Sequence, residues 1–342
     1  MVYTLFLLLP SSVFAKPEEV EKTIEKTFTV EKTANLIISN QFGKVDLIQH
    51  DKNTVEVVVK ITVEAGSEEK SLRKLEEIDI EFSASPNSVA MKTSFGKGKN
   101  NFNGSFQIDY TVKAPASMTL DLHNQFGDVF IGEWKGNTAI TVEYGNLTVG
   151  KLMSDLNEVT LEFSKGSIGL INKGRVELAY ADRFSLDKTK DLYIRSSFSN
   201  YEIQTAENLE CKSEYDDVEI ENVNRINLDA SFSSVKIGKL YIYGDASNEY
   251  GSIKIGNVSK SFEGLDLENS FASIKVDFEQ GSQFTFECDA EFGDISVPSG
   301  ANIRIDKKDH SEHYLKGAVG NGADLPHVSV EVEYGSASLS FD

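Results

Sequence analysis

The chain is poor in several residue types that organise proteins. It has 2 cysteines, 1 tryptophan and 6 prolines in 342 residues. Two cysteines are too few for a disulfide framework or a cysteine-based zinc site. Positive charge is also scarce: 34 Lys and Arg stand against 54 Asp and Glu, a net charge of −20. That excludes nucleic acid as a partner, since its binders displace counterions with a positive surface. It equally disfavours docking on anionic lipid. After the first residues there is no run of about 18 apolar residues, so no transmembrane helix is expected. With 40% hydrophobic and 10% aromatic residues, the chain has the composition of a folded protein with a sizeable core.

At the N-terminus, the apolar run Leu5–Leu9 is followed by Pro10 and by Val13-Phe14-Ala15. Small side chains before a cut after Ala15 suit a signal peptide over residues 1–15, although no Lys or Arg precedes the run. The expected location is therefore extracytoplasmic: periplasm, outer cell surface or secreted.

What the chain has in abundance is a repeated unit. An aromatic is followed by a small or polar residue, then by an aliphatic, a polar residue and a second aliphatic. It reads Phe42-Gly43-Lys44-Val45-Asp46-Leu47, Phe126-Gly127-Asp128-Val129-Phe130-Ile131 and Tyr250-Gly251-Ser252-Ile253-Lys254-Ile255. From Phe126 to Tyr250 the aromatics fall at steps of 18, 19, 17, 18, 17, 17 and 18, then at 21 and 21 to Phe292, with a last copy at Tyr334. Aliphatics alternate with outward charges such as Glu219, Lys236 and Lys254, the period of a strand with one wet face. Each unit reads as two short strands. A unit this small cannot bury its own apolar face and must stack on its neighbours. The expected fold is all-β: a parallel β-solenoid of 17–21-residue repeats over 119–342, with the aromatics in a ladder along a rod of about 50 Å. From Phe126 to Phe271 the aromatic alternates between Phe and Tyr, which leaves open one repeat per coil, the preferred reading, or two.

Residues 16–118 contain one clear copy, at Phe42. Strands are expected near Val55–Val63, Ile78–Phe82, Val89–Thr93 and Phe106–Val112, with a hairpin tip at Gly96–Gly104. Ser67 can cap a short helix over 67–76 whose first turn is acidic and whose Leu72 and Leu75 are three apart. This region is expected to be an antiparallel β cap on the rod.

The layout resembles a bacterial family of β-strand-repeat proteins known as candidate adhesins. The resemblance rests on the opening Gly-x-Val-x-Leu at Gly43, the charged helix, and Tyr110-Thr111-Val112-Lys113-Ala114-Pro115 leading into Leu120–Val129. It rests also on the serial aromatic units and the Gly-rich approach Gly317–Gly322 to the last of them. It implies a secreted or cell-envelope protein with a β-helix-like body, and it supplies no catalytic, cofactor or metal residues.

Other motifs invite chemistry weakly. His310 and His313, near Asp306, Asp309 and Glu312, suit a metal by ligand type but sit in a polar insertion expected to be a solvated loop. Asp128 and Asp216-Asp217 lack the glycine-and-aspartate nonapeptide of calcium-loaded rolls. Gly317, Gly320 and Gly322 lack the spacing of a dinucleotide fingerprint. Lys165-Gly166 and Arg183-Phe184 break the repeat in the manner of a bulge. Cys211 and Cys288 take an inward aliphatic place, four units apart, on the order of 19 Å, and are expected to be buried free thiols. No catalytic constellation stands out, and no cofactor is expected. The expected function is non-enzymatic, as an adhesin or surface interaction module whose partner is a protein or glycan. An envelope-stress or signalling accessory and a polysaccharide-active β-helix enzyme are the alternatives.

Overall fold

The computed structural model describes residues 18–96 and 102–342. The expected signal peptide, residues 1–15, lies outside the described residues. The fold is all-β, with 26 strands in one mixed sheet and one helix among the described residues.

The repeat sets this architecture through its backbone. All twelve repeat aromatics, from Phe42 to Tyr334, have φ between 50° and 63°, the left-handed region. An L-residue there costs about 1–2 kcal/mol, and the strand pair on either side holds it in place. The turn at each aromatic lets an inbound strand fold into an outbound one. Each inbound strand then pairs in parallel with its counterpart one unit away: Ile140 faces Leu122 on one side and Val159 on the other. The same one-unit offset runs through Lys165–Ala179, Arg183–Ser197, Asn200–Glu214, Asp217–Ser231 and Ser234–Glu249.

Stacking in this register superimposes the aromatics. Successive rings lie 4.5–5.2 Å apart and within 14° of parallel, in a single ladder. One repeat per layer is therefore observed, not two. The residue after the ring must be small where layers approach most closely. A Cβ on Gly127 would meet the carbonyl of Gly43, and one on Gly145 that of Gly127.

Inward rows of aliphatics form the core, including Leu122, Ile140, Val159, Val176 and Ile194, all at most 1% exposed. The repeat break at 165–184 is not a bulge, since Lys165–Ala179 pairs with Arg183–Ser197 at constant register. It is a volume exchange. Phe184 is fully buried over Gly166, where an added Cβ would strike the Phe184 ring. Register shifts lie elsewhere: between Val223 and Arg225, opposite the longer segment around Tyr241, between Ile255 and Val258, and between Ile303 and Ile305.

The sheet is not parallel throughout, because both ends are closed by antiparallel strands. At the N-terminal end, strands Asn35–Gln41 and Val45–His50 of the Phe42 unit pair in parallel with Thr119–Gln125 and Val129–Trp134. On their other side they meet Ser88–Phe95 and Gly104–Pro115, also in parallel. Most of the expected hairpin tip at Gly96–Gly104 lies outside the described residues; no pairing joins those last two strands among the described residues. Thr54–Ala65 runs antiparallel to Gly104–Pro115, and Glu18–Thr29 antiparallel to Thr54–Ala65. Phe95 and Phe106 meet Phe42 edge-on at 5.9 and 5.0 Å and end the ladder.

The helix spans Glu68–Glu76 with Ser67 at its N-cap, though the Ser67 side chain makes no capping bond. Glu68 and Glu69 lie in its first turn and Arg73 and Lys74 in its last, matching the helix dipole. Leu75 is buried, but Leu72 is 45% exposed. The second inward residue is Ser71, whose Oγ donates to the Glu18 carbonyl at 2.7 Å.

The C-terminal end departs from sequence order. Strand His327–Glu333 inserts between Gly264–Ser270 and Phe284–Glu291, and Ser336–Phe341 between Ile274–Phe278 and Asp294–Ser296. The last unit in the chain is thus the penultimate layer in space. Beyond it, Asn302–Lys308 and Glu312–Val319 form an antiparallel pair that docks on Phe284–Glu291. The polar insertion expected to be a solvated loop is this strand pair.

Candidate functional site

A groove of about 930 Å³ crosses eight layers, from Thr119 to Tyr243. It follows from the repeat. Residues five to seven places before each ladder aromatic stack into three rows at the corner opposite the ladder. The middle row supplies the floor: Leu120, Leu192, Leu209 and Ile226, all at most 4% exposed, with Gly174 and the hydrogen-bonded pair Thr138 and Asn157 in the layers between. Leu156 rises from one side and is 65% exposed.

The rims are polar, and their partners lie along the rod. Asp191 accepts from Asn208 Nδ2 at 2.6 Å and pairs with Lys173 at 3.3 Å. The Asn208 amide, followed by the Lys173 ammonium, holds the Asp191 carboxyl below its ordinary range against a smaller opposing effect of burial. The Arg175 guanidinium lies 4.7 Å from the centre of the Tyr193 ring and pairs with Glu177 at 2.6 Å. Arg225 pairs with Glu263 at 2.6 Å. Every cation of the groove is therefore matched. Asp121, Glu158 and Glu210 line it without an ion pair among the described residues.

Sequence reasoning missed this groove. Its residues look like ordinary strand positions, and they become a site only when stacking aligns them. The signal available was the run of amides and tyrosines at those places: Asn137, Asn208, Tyr193 and Tyr243.

Of the His and Asp motif singled out from sequence, the structure brings together His313 and Asp306, Nε2 to Oδ1 at 3.5 Å. His313 is buried and its Nδ1 accepts from the Ile295 N–H at 3.4 Å, whereas His310 is exposed at the tip of the C-terminal strand pair. Asp309 is occupied by the turn itself, accepting from the N–H groups of Ser311 and Glu312 at 2.8 and 2.9 Å. No group of three metal-ligating side chains occurs among the described residues. Asp128 accepts from Asn146 in the next layer. Asp216 points inward, where its carboxylate accepts from the Ser196 hydroxyl and from the Ser199 N–H at 2.7 Å. Burial pushes its pKa up.

Cys211 and Cys288 are free and buried, and burial pushes both thiols to about 12. They share one inward row. The row passes from Cys211 through Leu228, Ala246, Leu267 and Val330 to Cys288, five steps and not the expected four, because the last unit intervenes.

That insertion also builds an acidic row. Glu268, Glu331 and Asp289 stand opposite one another on adjacent strands. Burial, and then Glu268 and Asp289, raise the Glu331 pKa.

No protein-family model matches the sequence, and no curated protein matches it. Solved structures do. A candidate cell adhesion protein of Clostridium sporogenes is 10% identical over 96% of this chain and 100% of its own, with a TM-score of 0.20. A candidate adhesin of Parabacteroides distasonis is 11% identical over 94% and 97%, with a TM-score of 0.36. A candidate lipid binding protein of the same species is 12% identical over 93% and 96%, with a TM-score of 0.33. Adhesins are also the kind of protein the sequence resembles.

Proposed function

We propose that the protein is a non-enzymatic, secreted or cell-envelope β-solenoid that acts as an adhesin-type interaction module. The observation that carries this reading is the groove. It crosses eight layers with a polar rim and a floor that is apolar at Leu120, Leu192, Leu209 and Ile226 and polar at Thr138 and Asn157. Such a site suits recognition of an extended partner more than the enclosure of one small substrate. Support also comes from the framework. Every layer under the groove is bonded to the next, which presents the rim residues on a rigid surface. The expected location beyond the inner membrane rests on the candidate signal peptide. Among the described residues no helix is long and apolar enough to cross a membrane.

The test is binding of the purified protein to bacterial envelopes, host cells and an immobilised glycan panel, with turnover measured on each bound glycan. Saturable binding without turnover is expected. Chain cleavage would move the protein to the polysaccharide-active class. Binding confined to an inner-membrane signalling protein would favour the envelope-stress accessory role.

A further inference from the structure

We propose that the groove between Thr119 and Tyr243 is a binding site for an uncharged, linear polysaccharide lying along the rod axis; this rests on the interaction-module reading and names its ligand. Three observations select that chemistry.

Shape comes first. Eight layers at about 4.8 Å span on the order of 35 Å, so the site suits an unbranched chain.

Backbone saturation comes second. Extended peptides gain affinity chiefly by adding a strand to an open sheet edge. Strands under the groove have no open edge. Thr138–Glu143 is bonded to layers on both sides, as are Arg183–Ser197 and Asn200–Glu214. A peptide crossing them would find side chains alone and would leave its own N–H and C=O groups unmatched. A glycan needs no strand edge, because side-chain groups can satisfy its hydroxyls. Its hydroxyls meet rim groups, and its C–H faces meet Leu156, Tyr193 and Tyr243.

Charge comes third. Lys173, Arg175 and Arg225 are already paired, while Asp121, Glu158 and Glu210 are not. These carboxylates accept hydrogen bonds from hydroxyls and repel a chain that carries its own carboxylates or sulfates. A net charge of −20 adds to that repulsion.

The probes are hexamers and dimers of β-1,4-linked glucose, xylose, mannose and N-acetylglucosamine, with a galacturonate hexamer as the anionic comparison. Binding to the full chain is measured by calorimetry. At least one neutral hexamer is expected to bind about tenfold or more tighter than its dimer. Its affinity should hold up to about 0.5 M salt, and the galacturonate hexamer should not bind. Leu156→Asp, at the surface, should weaken binding about tenfold with an unchanged unfolding midpoint, and Tyr193→Ala, at a half-buried position, should weaken it by a similar factor. No binding by any neutral hexamer, equal affinity for hexamer and dimer, unaltered variants, or preference for galacturonate each overturns the proposal. Loss of cell attachment by Leu156→Asp without any hexamer binding would sink the glycan and keep the interaction module. Cleavage of a bound hexamer would keep the glycan and sink the non-enzymatic reading.

Discussion

The ring of Tyr334 lies 5.2 Å from that of Phe271 and 7° from parallel to it, although the Phe292 unit stands between them in the chain. Phe292 stacks on the other face of Tyr334 at 4.9 Å. Along the sequence, the alternation of Phe and Tyr fails when Phe271 is followed by Phe292. Along the ladder it never fails after Phe126, because Tyr334 separates the two. Ladder composition thus follows neighbours in space.

Stability of the ladder is the first prediction. Phe198 stacks on Tyr180 and Tyr215 at 5.1 and 4.9 Å with φ near 51°. Phe198→Ala loses both stacks and keeps the left-handed strain, so a loss of about 2–4 kcal/mol is expected. Phe198→Gly loses the same stacks and relieves the strain, and should cost about 1 kcal/mol less than alanine. That order reverses the usual one inside a sheet. Urea unfolding of both variants checks it, and a glycine variant less stable than the alanine one would contradict it.

The tight corner gives the second. Gly145→Ala places a methyl group against the Gly127 carbonyl. Backbone cannot yield there without breaking the register of two layers. A loss of about 3 kcal/mol or more is expected, read as a lowered unfolding midpoint. Gly66→Ala, with open space around its Cβ, serves as the control and should change little.

Asp216 supplies a pH prediction. Burial raises its pKa in the folded protein above 3.8, so the native state keeps a proton that the unfolded chain has released. The contribution of this group to stability therefore falls as pH rises from about 3.8 through the folded value. Asp191 and Glu287, held below their ordinary values by hydrogen bonds from neighbouring side chains, act in the opposite direction. The difference between wild type and Asp216→Asn isolates the effect. Measured as urea midpoint against pH, wild type should lose ground to the variant across that window. A constant difference would rule the account out.

A like-charge row gives a fourth prediction. Glu331 stands between Glu268 and Asp289 on paired strands. Glu331→Gln removes repulsion with both and should stabilise the protein by a few tenths of a kcal/mol at low salt. The gain should shrink at about 1 M salt. A salt-independent gain would point to another cause.

The thiols give a fifth. Cys211 and Cys288 are fully buried. Native protein should react with a thiol reagent only as fast as it unfolds, and two equivalents should appear at once in denaturant. Rapid native labelling of either residue would contradict the burial.

Much of this fold is legible in the sequence because its forces are local. Alternation marks the strands, the aromatic marks the corner, and Cys211 declares its inward place by standing where Leu228 and Ile194 stand in other units. The helix is legible from Ser67 and its acids, but which of its residues turn inward is not, since Ser71 is chosen by the Glu18 carbonyl and not by hydrophobicity. The position of the last unit is not written locally either. His327–Glu333 has the same pattern as any inbound strand, and only its fit between Gly264–Ser270 and Phe284–Glu291 places it. The groove is hidden for a similar reason: Asn208 and Asp191 are neighbours through stacking alone.

The inserted last unit also bears on how the chain is made. When the chain emerges N-terminus first, earlier layers can add one upon another, each on a template already folded. The Phe292 layer cannot, because its seat is formed by residues synthesised after it. Completion of this end waits for the final stretch from His327 to Phe341. A product cut short before it would carry two facing, unfilled strand edges, the kind of surface that pairs with other chains.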